Sequence, residues 1–170
     1  MTDLTYAEVG ATRHEPLPER YNHLHYRTLI GEGPEVFARA GEAVVTFAMH
    51  RATGARVRTA ADRAAPGVLL TVGLGPVAVP CEVVYTIDEP DRTGFGYGTR
   101  PGHLERGEES FLVERDADGL VWFRVTAFSL PARWPAVLAG PTVEVFQRLY
   151  ARICGRALKR LSAVSRTVGR

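Results

Sequence analysis

The chain has 170 residues, 45% of them hydrophobic and 24% charged, a composition that supports a buried core and excludes a disordered polymer. A net charge of +2 is too small for an overall electrostatic claim on nucleic acid, and no apolar run is long enough to span a membrane. Two distant cysteines, Cys81 and Cys154, suit buried reduced thiols, and Met1-Thr2-Asp3-Leu4 lacks the basic-then-apolar pattern of a secretory leader, so a cytoplasmic protein is expected.

Residues 1–22 read as irregular, with Pro16 and Pro18 denying regular structure and Leu4-Thr5-Tyr6 open to a short strand. His23 to Ile30 alternates as a strand and places His23 and His25 on one face; without a third ligand nearby they read as exposed edge residues. Gly31-Glu32-Gly33-Pro34 opens a helix, with proline at its first position and Glu35 near its positive end. Val36, Phe37, Ala40, Val44, Phe47 and Ala48 form its apolar stripe, and it fades near Met49-His50, where His50 reads as a cap. Residues 51–66 read as an Ala/Arg-rich segment holding a second short helix.

From Gly67 the period becomes that of strands. Val68–Val72, Val77–Asp88, Arg92–Thr99, Glu108–Arg115 and Leu120–Ser129 are joined by turn signals such as Glu89-Pro90-Asp91 and Asp116-Ala117-Asp118-Gly119, which implies an antiparallel meander. A proline-broken loop carrying Trp134 follows. The last helix, from Gly140-Pro141 to about Ser165, has a stripe of Val143, Phe146, Leu149, Tyr150, Ile153, Ala157, Leu161 and Val164. Arg148, Arg152, Arg156, Lys159, Arg160, Arg166 and Arg170 crowd this last quarter and read as its solvated side.

A curved antiparallel sheet must cover its apolar face, and the long last helix is the cover at hand. The expected class is α+β, one domain over 1–170, with an irregular lead (1–22) and a core at 23–165. This element order resembles the helix-grip arrangement of the START and Bet v 1-like proteins, which implies a sheet wrapped around the last helix with an internal hydrophobic cavity. A second resemblance rests on Tyr6, Glu8, Gly10-Ala11-Thr12, Pro80 to Tyr85, Gly94-Phe95-Gly96-Tyr97-Gly98-Thr99, Pro101-Gly102-His103, Glu105 to Glu109, Val121-Trp122-Phe123-Arg124 and Ala127-Phe128-Ser129. These are similar to the family catalogued as "domain of unknown function nineteen-ninety", departing from its pattern at Arg100 and Leu104. That family name transfers no catalytic residue, so the candidate site rests on strand alternation.

Alternation puts Val121, Phe123, Val125, Ala127 and Ser129 on one uncharged face, with Phe111, Val113 and Glu109 on the next strand. It adds Phe95, Tyr97 and Thr99, then Cys81, Val83, Tyr85 and Ile87. A one-residue slip would bring in Glu108 in place of Glu109. Gly94, Gly96 and Gly98 mark curvature or a close-packed neighbour, because no helix follows them as a nucleotide-binding turn requires. The expected interior is apolar with sparse polar groups, as in small-molecule pockets.

Glu109, Tyr97, His103 and Tyr85 are therefore the candidate catalytic residues: desolvation raises a carboxyl pKa into a useful range, and imidazole titrates near neutrality. Thr99, Phe95, Phe111, Phe123, Ser129 and Trp134 are the candidate substrate contacts. Each also has a plainer reading, as core-filling tyrosines or a His103–Glu105 salt bridge. No metal, cofactor or nucleophile motif is present, so none is expected.

Helix-grip relatives include polyketide cyclases, so the resemblance implies a cofactor-independent enzyme promoting ring closure or dehydration of a hydrophobic, oxygenated substrate, spiroketal formation being one case. A non-catalytic carrier or sensor is the alternative, and an interaction module using the basic helix is a third. The expected partner is a hydrophobic small molecule, with a homodimer left open, and neither nucleic acid nor a membrane span.

Overall fold

A computed structural model describes residues 3–132 and 141–164. In chain order it contains β1 (Asn22–Glu32), α1 (Pro34–Val45), α2 (Ala48–Ala52), β2 (Arg56–Thr59), β3 (Leu69–Leu74), β4 (Val77–Asp88), β5 (Arg92–Thr99), β6 (Glu105–Arg115), β7 (Leu120–Pro131) and α3 (Pro141–Ser162). All seven strands form one antiparallel sheet in the order β1-β7-β6-β5-β4-β3-β2. The meander expected from Gly67 onward is present, and β1 closes its far side on β7. The α+β, helix-grip architecture is thus the one seen: among the described residues the three α-helices lie on one face of the sheet and share its main core.

Two local features differ from the expected elements. The first helix is split, because Phe47 adopts φ 62°, a left-handed conformation that ends one helical run and starts α2. Its ring is fully buried edge-on to Phe95 at 5.5 Å, and that packing offsets the local strain. The second short helix expected within 51–66 is a strand, β2, whose Arg56 and Arg58 are exposed while Val57 packs on the core. Four alternating residues between two turns gave little period to read.

The buried face of α3 is also rotated from the expected stripe. Ala151, Cys154, Ala157 and Leu158 are fully buried, whereas Phe146 and Leu149 are 55% and 50% exposed. Small residues bring the helix close to the sheet: Gly155 lies against Thr28 and Tyr26 of β1. Arg148, Arg152, Arg156, Lys159 and Arg160 are exposed, as a solvated side requires. Arg166 and Arg170 lie outside the described residues. Both cysteines are buried free thiols.

On the opposite face of the sheet the N-terminal segment forms a strap. Tyr6, Leu17 and Tyr21 pack on Phe128 of β7 in a second small core. Beneath them the buried Glu108 carboxylate accepts hydrogen bonds from Tyr6 Oη (2.6 Å), Gly10 N (2.6 Å), Thr12 N (2.9 Å) and Thr12 Oγ1. Four donors replace the lost hydration of this charge. The glycines of β5 make room for the strap: a Cβ on Gly98 would collide with the Tyr6 ring, and one on Gly96 with the Tyr85 ring. The close-packed-neighbour reading of these glycines is therefore the structural one.

Removing one donor from a buried charged acceptor costs about 1.5–3 kcal/mol. Tyr6→Phe should lower stability by roughly that amount in urea unfolding. Gly98→Ala should also destabilise, but much less in a Tyr6→Ala background, where the colliding ring is gone. Equal costs of Gly98→Ala in both backgrounds would contradict this packing.

Candidate active site

Helix α3, the β3–β4 hairpin and the ends of β5, β6 and β7 enclose a cavity of about 730 Å³. Most of its wall is apolar, from Val72, Val79, Ala127, Leu149 and Ile153 among others. Into it the pleat of β5, β6 and β7 projects Tyr97, Glu109, Glu105 and Ser129, while α3 adds Gln147 and Tyr150. Tyr97 and Glu109 are cross-strand partners, and Tyr97 Oη donates to Glu109 Oε2 at 2.9 Å.

Burial pushes the Glu109 carboxyl up to about 7; the Tyr97 hydrogen bond opposes that rise and the charge of Glu105 adds to it. Glu105 is also raised, again by burial, although Ser129 Oγ and Gln147 Nε2 donate to it at 2.9 Å. Burial, together with the nearby Glu109 charge, holds the Tyr97 phenol well above its ordinary value, so it stays protonated and donates. At neutral pH Glu109 is therefore close to half protonated in a largely apolar cavity.

The expected site residues divide clearly. Glu109, not Glu108, takes the cavity side; Glu108 turns to the strap. Tyr97 and Ser129 line the cavity. Thr99 borders it, but its hydroxyl is engaged by Gly107 N (2.9 Å), Gly107 O (3.2 Å) and Thr5 Oγ1 (2.6 Å). Phe95, Phe111 and Phe123 are fully buried core behind the cavity wall instead of contacts for a ligand. Trp134 lies outside the described residues.

Tyr85 is a correction. Between Val83 and Tyr85 the register of β4 against β5 shifts by one residue, a bulge that inverts the alternation after Val83. Tyr85 and Ile87 therefore pack with Leu112 on the strap face, and the Tyr85 hydroxyl meets Thr12 Oγ1 at 2.8 Å. His103 does line the cavity, but its Nδ1 accepts the backbone N–H of Glu105 at 2.9 Å and burial lowers its pKa to about 4. It is a neutral ring at physiological pH, which leaves Nε2–H as a donor, and it makes no salt bridge with Glu105.

His50 is also not a helix cap. It is fully buried, with neither ring nitrogen partnered, at 4.6 Å from the Phe111 ring centroid and near Tyr97 and Tyr150. The edge histidines His23 and His25 are exposed, as expected. Glu105, Gln147 and Tyr150 were not singled out by the sequence. Glu105 shares the strand face of Glu109 four residues on, but Arg106-Gly107 disguised that start of β6 as a turn. Gln147 is a polar side chain one helical turn before Tyr150, which the sequence placed in the apolar stripe.

The chain matches known proteins at two levels, sequence and fold. The family model described as Domain of unknown function (DUF1990) covers residues 5–157. The chain belongs to this family. A UPF0548 protein of Deinococcus radiodurans is 39% identical over 170 residues, covering 92% of this chain and 86% of the relative. One of Arabidopsis thaliana is 33% identical over 159 residues, covering 82% and 73%.

Among solved structures, a hypothetical protein of Helicobacter pylori superposes with a TM-score of 0.73 at 9% identity, over 96% of this chain and 98% of that one. Norcoclaurine synthase of Thalictrum flavum gives 0.54 at 13% identity, over 82% and 92%. Ara h 8.0201 gives 0.55 at 12% identity, over 83% and 97%. At such identities the likeness is one of fold, the helix-grip fold of the Bet v 1-like proteins.

A raised carboxyl makes stability depend on pH with a definite sign. The contribution of Glu109 is fully present below its unfolded value of 4.5 and is lost as pH rises through about 7. Glu109→Gln should therefore be more stable than the wild type at about pH 8, by up to roughly 3 kcal/mol, with the gap closing toward pH 5. Denaturant unfolding at the two pH values checks this, and a gap independent of pH would contradict it.

Proposed function

We propose that this protein is a cofactor-independent tailoring enzyme that binds a hydrophobic, oxygenated substrate in the cavity and uses Glu109 for acid–base ring closure or dehydration. The observation that supports this reading best is the half-buried Glu109, its carboxyl raised to about 7 and held by Tyr97 on the wall of a large apolar cavity. A carboxyl in that range can both give and accept a proton at neutral pH.

For a hydroxy-hemiketal substrate, neutral Glu109 donates its proton to the departing hemiketal hydroxyl, the C–O bond breaks and water leaves. The resulting oxocarbenium ion faces the Glu109 carboxylate, which stabilises it in a low-dielectric setting. A second substrate hydroxyl then attacks the cationic carbon and returns its proton to Glu109, for a net loss of one water. Tyr97 Oη–H orients the carboxylate throughout. Ser129, Gln147 and the Nε2–H of His103 offer hydrogen bonds to substrate oxygens nearer Glu105.

Incubating a panel of cyclisable hydroxy-ketones with the protein tests this reading. The wild type should convert at least one of them, Glu109→Gln should lose 10²-fold or more of that rate, and the rate should fall as pH rises through about 7, because the acid form acts first. Tight binding with no turnover of any substrate would instead favour a carrier.

A further inference from the structure

Glu109 is surrounded by titratable groups, and among the described residues none of them is a cation. Across from it on β5 is Tyr97; Cys81 faces it from β4, Tyr150 and Cys154 from α3, and Glu105 from its own strand. His103, in the β5–β6 connection, is uncharged at neutral pH. Among the described residues, those that line the cavity include no lysine or arginine. Glu105 likewise takes its hydrogen bonds from neutral donors, Ser129 and Gln147.

Buried carboxylates elsewhere in proteins are neutralised by an ion pair or saturated by donors. Glu108, one residue away, shows the second solution with its four donors. Among the described residues Glu109 shows neither, with one hydrogen bond, from Tyr97. A second feature points the same way. The Tyr150 hydroxyl, on the cavity side of α3, is buried near Thr53 and Cys154 but makes no hydrogen bond of good geometry, so another polar group at the same site is unfilled.

We infer that the occupant of this cavity carries its own positive charge: a hydrophobic ammonium compound whose N–H groups meet Glu109 and the Tyr150 hydroxyl, with its apolar body against Val72, Val79, Leu149 and Ile153. This rests on the cavity of the proposed function and goes beyond it: an ammonium occupant holds Glu109 ionised, so it is a ligand that competes with the acid role of Glu109 and not the substrate of that step. The favoured class is alkylamines and arylalkylamines; fatty acids and phosphates are disfavoured, because their anionic heads would face two carboxyl groups with no basic residue among the described lining to receive them. An alkylamine with an ordinary pKa near 10 stays charged across the working range, so the pH dependence reads the cavity carboxyls, Glu109 first among them. Binding then pulls Glu109 into its ionised form, and affinity for the amine rises with pH until it levels off above about 7.

Calorimetric titration of the full chain with decylamine, decanol and decanoate separates the possibilities, because the three probes share one tail. At about pH 8 decylamine should bind at least tenfold more tightly than decanol, with decanoate weakest. Lowering the pH to about 6 should remove most of the amine's advantage and leave decanol unchanged. Glu109→Gln should abolish the preference at every pH, while the pH series on the wild type needs no variant to fold. Decanol binding as tightly as decylamine at pH 8 overturns the inference and leaves the proposed function standing. Failure of all three probes to bind overturns both.

Discussion

Successive side chains of a strand point to opposite faces, and at Glu108-Glu109 this period of two sends adjacent carboxylates into opposite environments. Glu108 goes to the strap, where Tyr6, Gly10 and Thr12 saturate it with donors. Glu109 goes to the cavity, where Tyr97 alone donates to it. The first arrangement fixes the N-terminal segment on the sheet. The second leaves a carboxyl whose charge the fold does not complete. Much else follows from keeping these two sites apart: the glycine face of β5 that admits the Tyr6 and Tyr85 rings, and the Tyr97–Glu109 cross-strand pair on its reverse.

The cavity depends on how α3 is seated. A helix that buried its largest apolar residues against the sheet would fill the space under β5–β7. Here Gly155 lies against β1 and its neighbours Ala151, Cys154 and Ala157 are fully buried, so close approach occurs along the middle and C-terminal half of the helix. Phe146, Leu149 and Tyr150, nearer its start, stand around the cavity instead. The same apolar character that usually signals core thus serves as a wall for a ligand.

This explains what was and was not legible in the sequence. β4 and β5 run between the residues expected because Gly75-Pro76 and Glu89-Pro90-Asp91 punctuate them and β-branched and aromatic residues fill them. The cavity side of Glu109 followed from Phe111 and Val113 on the same strand. Tyr85 was misplaced because the bulge at Val84 inverts alternation without any glycine or proline to announce it. The buried face of α3 was misjudged because periodicity weights large side chains, and here the small ones make the contact. His50 could not be read at all: a helical position says nothing about which rings will close around it from β5, β6 and α3.

The helix-grip fold and the family are shared with relatives across bacteria and plants. Chemistry lives in the particular groups that one cavity presents, and here, among the described residues, those are carboxyls without a cation. Carbon NMR of the Glu109 side-chain carboxyl, assigned by comparison with Glu109→Gln, reads that feature directly. A titration midpoint near 7 in the ligand-free protein is the expected result. A midpoint near 4.5 would mean that water or another partner solvates the carboxylate, and would contradict both the desolvation of Glu109 and the acid–base role built on it.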